Sequence, residues 1–238
     1  MKVVHWNVSR ATPHMSGMKR YEDELFDNLN ALRADLELAR IRRVANPIVG
    51  NVPVSWLLRY KCEGADIVHA TFQTLAPAAY FKRPQKFIVT VLDSTPILYL
   101  STLGRDLSTR VQWMLTPKAL KKADRIITIS EFTKKELVRL SGIDESLVAA
   151  IHLAADRSKY YPRDRKECKR RFGFNTGEKH ILVVASNREN KRMDLTQKVL
   201  AEVRRRRKDV RLIKAGYAEV LTGEGIINVG WVPETDMP

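Results

Sequence analysis

The stretch His180–Leu195, HILVVASNRENKRMDL, decides the fold of this chain. Its apolar run with two valines predicts a strand, Ile181 to Ala185, covered on both faces as in a parallel sheet. A polar loop, Ser186 to Lys191, leads into a predicted helix, and a helix start favours an anion. Arg188 and Lys191 there suggest a phosphate clamp. An ordinary strand-to-helix turn with solvated charges is the competing interpretation.

Strands alternate with helices along the rest of the chain, which predicts crossover connections and a parallel sheet. The other predicted strands are Lys2–Val8, Ala65–His69, Phe87–Val91, Arg125–Ile129, Val148–His152, Val210–Ala215 and Ile226–Val229. The predicted helices are Met18–Leu32, Val52–Tyr60, Asp106–Lys121, Glu131–Leu140, Asp164–Phe172 and Met193–Arg206. Residues 33–50 are basic and receive no assignment.

The apolar pattern breaks between Leu153 and Arg163, which reads as a linker. We therefore predict an α/β fold with a Rossmann-like parallel-sheet domain over residues 1–155. A partial second Rossmann-like domain is predicted over residues 156–238, with few strands to bury its helices.

The chain of 238 residues is strongly basic, with a formal net charge of +15. Between Arg157 and Lys214, 20 basic residues stand against 7 acidic ones. A field of this sign attracts phosphate, nucleic acid or an anionic membrane surface, and it does not choose between them. The hydrophobic fraction of 44% supports a packed core and argues against wholesale disorder.

Several classes of protein are disfavoured by the composition. Cys62 and Cys168 have no metal-type spacing and suggest no disulfide framework. The N-terminus lacks the apolar run of a signal peptide, and no segment reaches the roughly 18 apolar residues of a membrane span. We expect a cytoplasmic protein without a metal site, whose membrane contact, if any, is peripheral and on the inner face.

Candidate site residues follow the predicted strands, and ligands of open parallel sheets bind beyond the carboxyl ends of strands. We expect these residues and the Arg188–Lys191 loop to face one cleft between the two domains. Each has a simpler interpretation as a turn, core or helix-cap residue; Ser130 and Glu131, for example, suit the start of a helix. The candidates in the first domain are Gly17, His69, Asp93, Ser130 and Glu131.

Several segments, taken in order and spacing, resemble the group 1 (family 4) glycosyltransferases of the GT-B fold. ADRIITISEFTKKEL closely resembles the family's Ala-Asp-x-x-Ile-x-x-Ser-Glu-Phe-Ser strand and helix. The segments are SGMKRYEDEL (16–25), ADIVHA (65–70), VTVLDSTPILY (89–99), ADRIITISEFTKKEL (123–137), VAAIHLAADRSKYYP (148–162), ILVVASNRENKRMD (181–194) and INVGWVPETDMP (227–238).

The resemblance implies that a sugar is transferred, with retention and without a metal or other cofactor, from a UDP-, GDP- or ADP-sugar to an acceptor. Cations of the second domain would hold the departing diphosphate, whose charge they stabilise. Lys191 aligns with the family's phosphate lysine. Asn190 replaces the arginine usually beside it, and Arg188 is the candidate substitute. Ser186 completes the predicted diphosphate site; no catalytic residue is assigned.

Four departures from the family pattern put activity in doubt. Leu92 stands where many members carry a histidine near the reacting centre, and leucine cannot transfer a proton. Ala185 and Ala154 replace glycines of the diphosphate loop and the linker. The sequence ends at Pro238, before the family's Glu-x7-Glu segment. A separately encoded C-terminal half is therefore one expected partner.

Two alternatives stay open. A degenerate, non-catalytic member could bind an anionic lipid surface, an acceptor or a partner chain, with about 1 kcal/mol per basic residue near the membrane. A nucleic-acid binder is suggested only by the basic run Arg204–Lys208. A solvated helix end explains that run better, since no recognition motif or aromatic platform accompanies it.

Overall fold

The computed structural model describes residues 1–11, 16–44, 57–93, 107–186, 191–216 and 220–237. Most of the predicted helix Val52–Tyr60 lies outside these ranges, as do Arg188 and Asn190. The chain forms two compact units, Met1–Ala154 and Ala155–Pro238. Both contain parallel sheets with helical connections, so the predicted α/β fold is confirmed.

The first unit contains a six-stranded sheet in which all strands run parallel. Its order is β2-β1-β3-β4-β5-β6. The strands are β1 (Lys2–Asn7), β2 (Glu37–Arg42), β3 (Ile67–Ala70), β4 (Phe87–Val91), β5 (Arg125–Thr128) and β6 (Val148–Ala150). The helices are α1 (Gly17–Leu32), α2 (Leu107–Leu120) and α3 (Glu131–Ser141), with 3-10 turns at Gln73–Tyr80 and Glu145–Leu147.

Alternate residues along these strands separate a hydrophobic face from a more polar one, as the two-residue period of a strand requires. One face carries Trp6, Val68, Val89 and Ile126, all at most 1% exposed. Leu120 and Leu137 of α2 and α3 join the same core. The opposite face, which α1 partly covers, carries His5, His69, Thr90 and Ile127.

Strand β2 was not anticipated from the sequence, because its residues ELARIR mix charged and apolar side chains. The structure explains this composition: β2 pairs only with β1 among the described strands and lies at the edge of the sheet. Edge strands tolerate charged side chains because one side remains open to water.

The second unit contains a three-stranded parallel sheet in the order β7-β8-β9. Its strands are β7 (Lys179–Val184), β8 (Val210–Ala215) and β9 (Ile226–Gly230), and its helices are α4 (Arg165–Arg171) and α5 (Met193–Arg206). A 3-10 turn covers Glu234–Asp236. Met193, Leu200 and Leu212 belong to its small core. In the described part of the chain, no helix has the length and apolar character needed to cross a membrane.

Candidate functional site

The strand order of the first unit reverses at β1, which has β2 on one side and β3 on the other. In open parallel sheets this switch point opens a crevice at the carboxyl ends of the strands, where ligands bind. The described residues that directly follow β1 and the first turn of α1 border this crevice. Ser16 caps α1 by accepting a hydrogen bond from the backbone N–H of Lys19.

A buried carboxylate fixes the backbone at this point. Glu22 of α1 is fully buried and accepts hydrogen bonds from the backbone N–H groups of Val8 (2.7 Å) and Ser9 (3.1 Å). It also accepts from the Ser9 hydroxyl and from the Thr71 hydroxyl at 2.6 Å. Hydrogen bonds to a charged acceptor are stronger than neutral ones. Glu22 therefore ties α1 to the ends of β1 and β3.

A second polar network lies under α1. The Tyr21 hydroxyl donates to Thr90 Oγ1 at 3.0 Å, and His69 Nε2 lies 2.8 Å from the same oxygen. Burial raises the pKa of Tyr21, so its hydroxyl stays protonated and remains a donor. The Thr90 proton can then be directed to His69 Nε2. The network presents a neutral, hydrogen-bonding surface rather than a charged one.

His5 lies against His69 with the two ring centroids 5.1 Å apart. Burial, with a smaller effect from His5, lowers the pKa of His69 to about 3. Burial, with a smaller effect from Arg40, lowers the pKa of His5 to about 4. Both rings are therefore neutral at pH 7. Within the described ranges, neither ring nitrogen of His5 has a hydrogen-bond partner.

A cleft of about 370 Å³ opens between α1 and the ends of β5 and β6. Its lining combines apolar side chains with a few polar ones, as is usual for small-molecule sites. The residues that matter here are Gly17, Tyr21 and Asn28 of α1, His69 of β3, and Ile129 and His152 after β5 and β6.

In the second unit, Ser186 is the second residue after β7. Lys191 is exposed and stands two residues before Met193, the first residue of α5. Arg192, the N-cap residue of α5, has a left-handed backbone (φ 47°) and forms no side-chain capping bond. Its guanidinium pairs with Asp194 at 3.1 Å. The start of α5 thus has no capping hydroxyl like those of Ser16 and Ser130.

The backbone is tightly packed at the same edge of the second sheet. Gly216, directly after β8, has φ +110°, and a Cβ there would lie 2.9 Å from the carbonyl oxygen of Ala185. The Ala185 N–H donates to the Ala215 carbonyl at 3.0 Å. Only glycine fits this position without a shift of the loop that follows β7.

The profile of Glycosyltransferase Family 4 matches residues 14–159, which is more than half of the chain. The chain belongs to glycosyltransferase family 4. The matched range includes α1 with Tyr21 and Glu22, and it includes His69, Thr71 and Thr90. The resemblance that the sequence motifs indicated is therefore confirmed.

Solved structures of GT-B glycosyltransferases share the fold of this family 4 chain. HepE from Anabaena, determined with UDP and glucose, aligns with a TM-score of 0.70 over 98% of this chain and 70% of its own, at 14% identity. Sucrose-phosphate synthase from Thermosynechococcus elongatus aligns with a TM-score of 0.69 over 97% of this chain and 70% of its own, at 15% identity. Identities this low establish the fold alone. Among curated protein sequences there is no significant match.

The structure brings together only some of the predicted site residues of this glycosyltransferase-family chain. Gly17 and His69 line one cleft in the first unit. His69 does not follow its strand as expected; it is the third residue of β3. This strand ends one residue later than predicted because Ala70 still pairs with Val89 of β4. His69 is 6% exposed at the cleft floor.

Three other predicted residues lie beyond strands but do not line that cleft. Ser130 caps α3, its Oγ accepting from the Thr133 N–H at 3.1 Å. Glu131 occupies the first turn of α3 and is exposed. The Asp93 backbone carbonyl accepts from Gln73 Nε2 at 2.7 Å. Arg188 and Asn190 fall outside the described residues, so only Ser186 and Lys191 of the predicted diphosphate site can be described.

The sequence reading missed the buried residues that organise the crevice. Glu22 lies in the segment SGMKRYEDEL, in which the sequence analysis considered only Gly17 and the apolar helix face. Thr90 lies within an apolar strand and Thr71 lies beside one, so neither was singled out. A carboxylate on the apolar face of an amphipathic helix was the available signal: Glu22 lies next to Tyr21 and three residues before Leu25. Such a residue is almost never buried without partners.

Proposed function

We propose that this chain binds a nucleotide sugar through its second unit and that the sugar is transferred, with retention and without a metal, to an acceptor at the first unit. The observation that carries the proposal is the position of Lys191 in a family 4 chain. It is exposed beside the start of α5, in the loop that follows the carboxyl end of β7. The HepE structure, similar over 98% of this chain, contains UDP and glucose.

The chemistry of the leaving group suits these residues. A nucleoside diphosphate gains negative charge as the glycosidic bond breaks, and a positioned cation stabilises that charge in the transition state. Lys191 supplies an ammonium group, and the start of α5 supplies a partial positive charge with no capping side chain from Arg192. Ser186, Arg188 and Asn190 belong to the same proposed site. UDP, GDP and ADP remain the candidate diphosphates.

Isothermal calorimetry with UDP, GDP and ADP tests the proposal. We expect the preferred diphosphate to bind the wild-type chain, and Lys191→Ala to weaken binding about tenfold, equivalent to about 1.4 kcal/mol. Lys198→Ala is the matched control, since Lys198 is an exposed lysine within α5, one turn and more beyond its start. Absence of binding by all three diphosphates, or equal loss in both variants, would contradict the proposed donor site.

The stereochemistry and the metal requirement need a separate measurement. With the preferred nucleotide sugar, NMR of the freshly released or transferred sugar should show the anomeric configuration of the donor. The rate should be unchanged by EDTA. Inversion of the anomer would refute retention, and loss of turnover with EDTA that is restored by Mg²⁺ would refute the metal-free mechanism.

A second candidate function, binding without catalysis, is favoured by Leu92. This residue lies directly after β4, and its backbone N–H donates to Gln73 Oε1 at 3.1 Å. The family resemblance implies that many members carry a histidine at this position. A non-catalytic chain would bind an anionic membrane through its basic residues. Flotation with phosphatidylcholine vesicles, with and without phosphatidylserine, tests this: recovery only with the anionic lipid supports it, and equal recovery removes it.

The basic run Arg204–Lys208 does not favour a nucleic-acid function. Arg204 is 7% exposed and donates to the carbonyls of Lys208 (2.8 Å) and Val210 (2.6 Å). Arg207 pairs with Asp209, and Arg205 pairs with Glu202. These local contacts assign the run to the end of α5.

A further inference from the structure

A groove lined by aromatic and basic side chains runs beside α4 in the second unit. None of the seven residues of α4 is buried. The groove has a volume of about 350 Å³, which is at the small end of the range for ligand sites, roughly 300–1,000 Å³. It is named the α4 groove here and is defined by Tyr161, Arg163, Arg165, Phe172, Phe174 and His180.

The aromatic rings of the α4 groove form a row. Phe172 and Phe174 stack with their ring centroids 6.1 Å apart, and the Phe174 centroid lies 5.3 Å from that of His180. Tyr161 and Phe172 are nevertheless 52% and 42% exposed. An aromatic side chain that remains partly open to water is stabilised further when an apolar group covers it. The row of rings therefore favours an apolar or aromatic group as the ligand.

Cations line the same groove. In the segment 157–171, eight basic residues stand against two acidic ones. The Lys169 ammonium donates to two backbone carbonyls and so holds the local fold. Arg163 stacks over the Tyr161 ring at 4.5 Å, and within the described ranges neither it nor Arg165 forms an ion pair. A stacked arginine can still offer its N–H groups to a carboxylate, so the groove favours an acidic ligand.

A buried histidine in the α4 groove also indicates a ligand. The His180 side chain is 9% exposed, and neither ring nitrogen has a hydrogen-bond partner among the described residues. Glu178 Oε2 lies 3.9 Å from His180 Nε2, which is too far for a hydrogen bond. Burial, with a smaller effect from Lys169, lowers the pKa of His180, so the ring is neutral at pH 7. Buried polar groups are normally satisfied, so this ring suits a polar atom of a ligand, such as a phenol hydroxyl or an indole N–H.

The position and size of the α4 groove separate it from the proposed donor site. His180 is the second residue of β7, whereas Ser186 and Lys191 follow the carboxyl end of that strand. A concave groove of about 350 Å³ suits one large side chain. A membrane contact would need projecting rings, and a single-stranded nucleic acid would need a longer track of stacking rings. A segment of a protein therefore fits the groove best.

From these observations we propose that the α4 groove binds an acidic segment of a partner protein. One aromatic side chain of that segment enters the groove against Phe172 and Phe174, where its polar atom meets His180. Carboxylates beside it pair with Arg163 and Arg165. Buried aromatic anchors and arginines contribute most of the binding free energy in many protein interfaces. This interaction goes beyond the proposed sugar transfer and does not depend on it.

Fluorescence anisotropy tests the proposal with a labelled, glutamate-rich peptide that carries one central tryptophan. We expect this peptide to bind, and the same peptide with glycine in place of tryptophan to bind about tenfold more weakly. Arg165→Glu and Phe172→Ser should each weaken binding of the tryptophan peptide about tenfold. Two matched controls should bind like the wild type. Arg206→Glu makes the same change of charge at an exposed position of α5, and Phe132→Ser removes an exposed ring from α3.

Alkylation of the two free cysteines locates the bound peptide without any substitution. Cys168 lines the α4 groove, Cys62 lies in the first unit, and both are half-buried. Saturating tryptophan peptide should slow the reaction of Cys168 with iodoacetamide, followed by mass spectrometry, and leave that of Cys62 unchanged.

Three results would overturn the proposal. The first is that the wild-type chain does not bind the tryptophan peptide. The second is equal binding by the wild type, Arg165→Glu and Phe172→Ser, or equal protection of both cysteines, which would place the peptide elsewhere on the basic surface. The third is binding of phosphatidylserine-containing vesicles or of polyuridine RNA that Phe172→Ser abolishes while the peptide fails to compete, which would assign the groove to a membrane or to nucleic acid.

Discussion

The carboxylate of Glu22 accepts a hydrogen bond of 2.6 Å from the hydroxyl of Thr71, which joins α1 to the carboxyl end of β3. The same carboxylate holds the two backbone N–H groups that follow β1. In a sheet of this kind, free N–H groups at a strand end are available to ligand anions. Here the chain supplies its own carboxylate, so the N–H groups of Val8 and Ser9 are already satisfied.

Replacing Glu22 should destabilise the first unit. Glu22→Ala leaves several buried donors without an acceptor, and we expect the free energy of unfolding to fall by about 3 kcal/mol. Glu22→Gln keeps one carbonyl acceptor and should cost about half as much. Urea denaturation provides the measurement. Asp27→Ala, at an exposed position of the same helix, is the control and should change stability by less than about 0.5 kcal/mol. Equal stability of Glu22→Ala and the control would contradict the assigned role.

The buried histidines should make the chain less stable in mild acid. His5 and His69 have folded pKa values of about 4 and about 3, below the ordinary value of 6.5. Between pH 4 and pH 6.5 the unfolded chain therefore binds more protons than the folded chain. The stability that the neutral histidines contribute is complete above pH 6.5 and is lost as the pH falls toward 4. Each histidine contributes a slope of up to about 1.4 kcal/mol per pH unit.

Urea denaturation at several pH values between 7.5 and 4.5 checks this prediction. His5→Phe removes one titrating group but keeps a ring against Phe26 and should flatten the slope. His152→Gln alters an exposed residue and serves as the control. Carboxylates with lowered pKa values, such as Asp23, act mainly below pH 4 and should not obscure the result. A wild-type stability that is constant from pH 6.5 to 4.5 would refute neutral burial of the histidines.

The basic run at the end of α5 should divide into one structural residue and several replaceable ones. Arg204→Ala removes a guanidinium that holds two backbone carbonyls and pairs with Glu224 at 2.5 Å. We expect a loss of about 2–3 kcal/mol in the free energy of unfolding. Arg205→Ala, at an exposed position, should cost less than about 0.5 kcal/mol. Similar effects of the two changes in a thermal melt would show that the buried contacts contribute little.

Gly216 should be required both for stability and for the shape of the loop that follows β7, which is part of the proposed donor site. Gly216→Ala forces a side chain into a left-handed backbone 2.9 Å from the Ala185 carbonyl, and should cost about 2 kcal/mol. UDP binding should weaken with it, because Ser186 adjoins the displaced residue. At Gly177 the corresponding Cβ would lie 3.4 Å from Asn175 Oδ1, so Gly177→Ala is the milder control. If Gly216→Ala melts and binds UDP like the wild type, the tight packing of this loop is unimportant.

Much of the fold was predictable because periodic apolar residues define each element. Helix α5 matches its predicted bounds, Met193–Arg206, and β8 matches Val210–Ala215. The 3-10 turn Gln73–Tyr80 was not predicted, since its buried residues QTLAPAAY follow neither the helical nor the strand period. The observed bounds of a strand differ from the predicted ones where pairing with neighbouring strands sets them. The strand predicted at Ala65–His69, for example, spans Ile67–Ala70.

The site was harder to predict than the fold. The strand pattern placed Gly17, His69 and the Arg188–Lys191 loop directly after predicted strands. Of these, Gly17 and His69 line one cleft in the structure, and His69 lies within its strand. The strand pattern did not reveal the Glu22 hydrogen bonds or the gathering of cations around Asp23. Those contacts join α1 to Ser9 after β1, Arg42 of β2 and Thr71 after β3. These residues lie between 13 and 49 positions away in sequence, and only the folded sheet brings them together.

The most direct test of the central proposal is an NMR titration of the isotopically labelled chain with UDP, GDP or ADP. If the second unit holds the nucleotide diphosphate at the start of α5, the backbone amide signals of Ser186, Lys191, Arg192 and Met193 should shift most. These shifts should disappear in Lys191→Ala and persist in Lys198→Ala. Saturating diphosphate that leaves those amides unmoved, or that shifts only signals of the first unit, would contradict the proposed donor site.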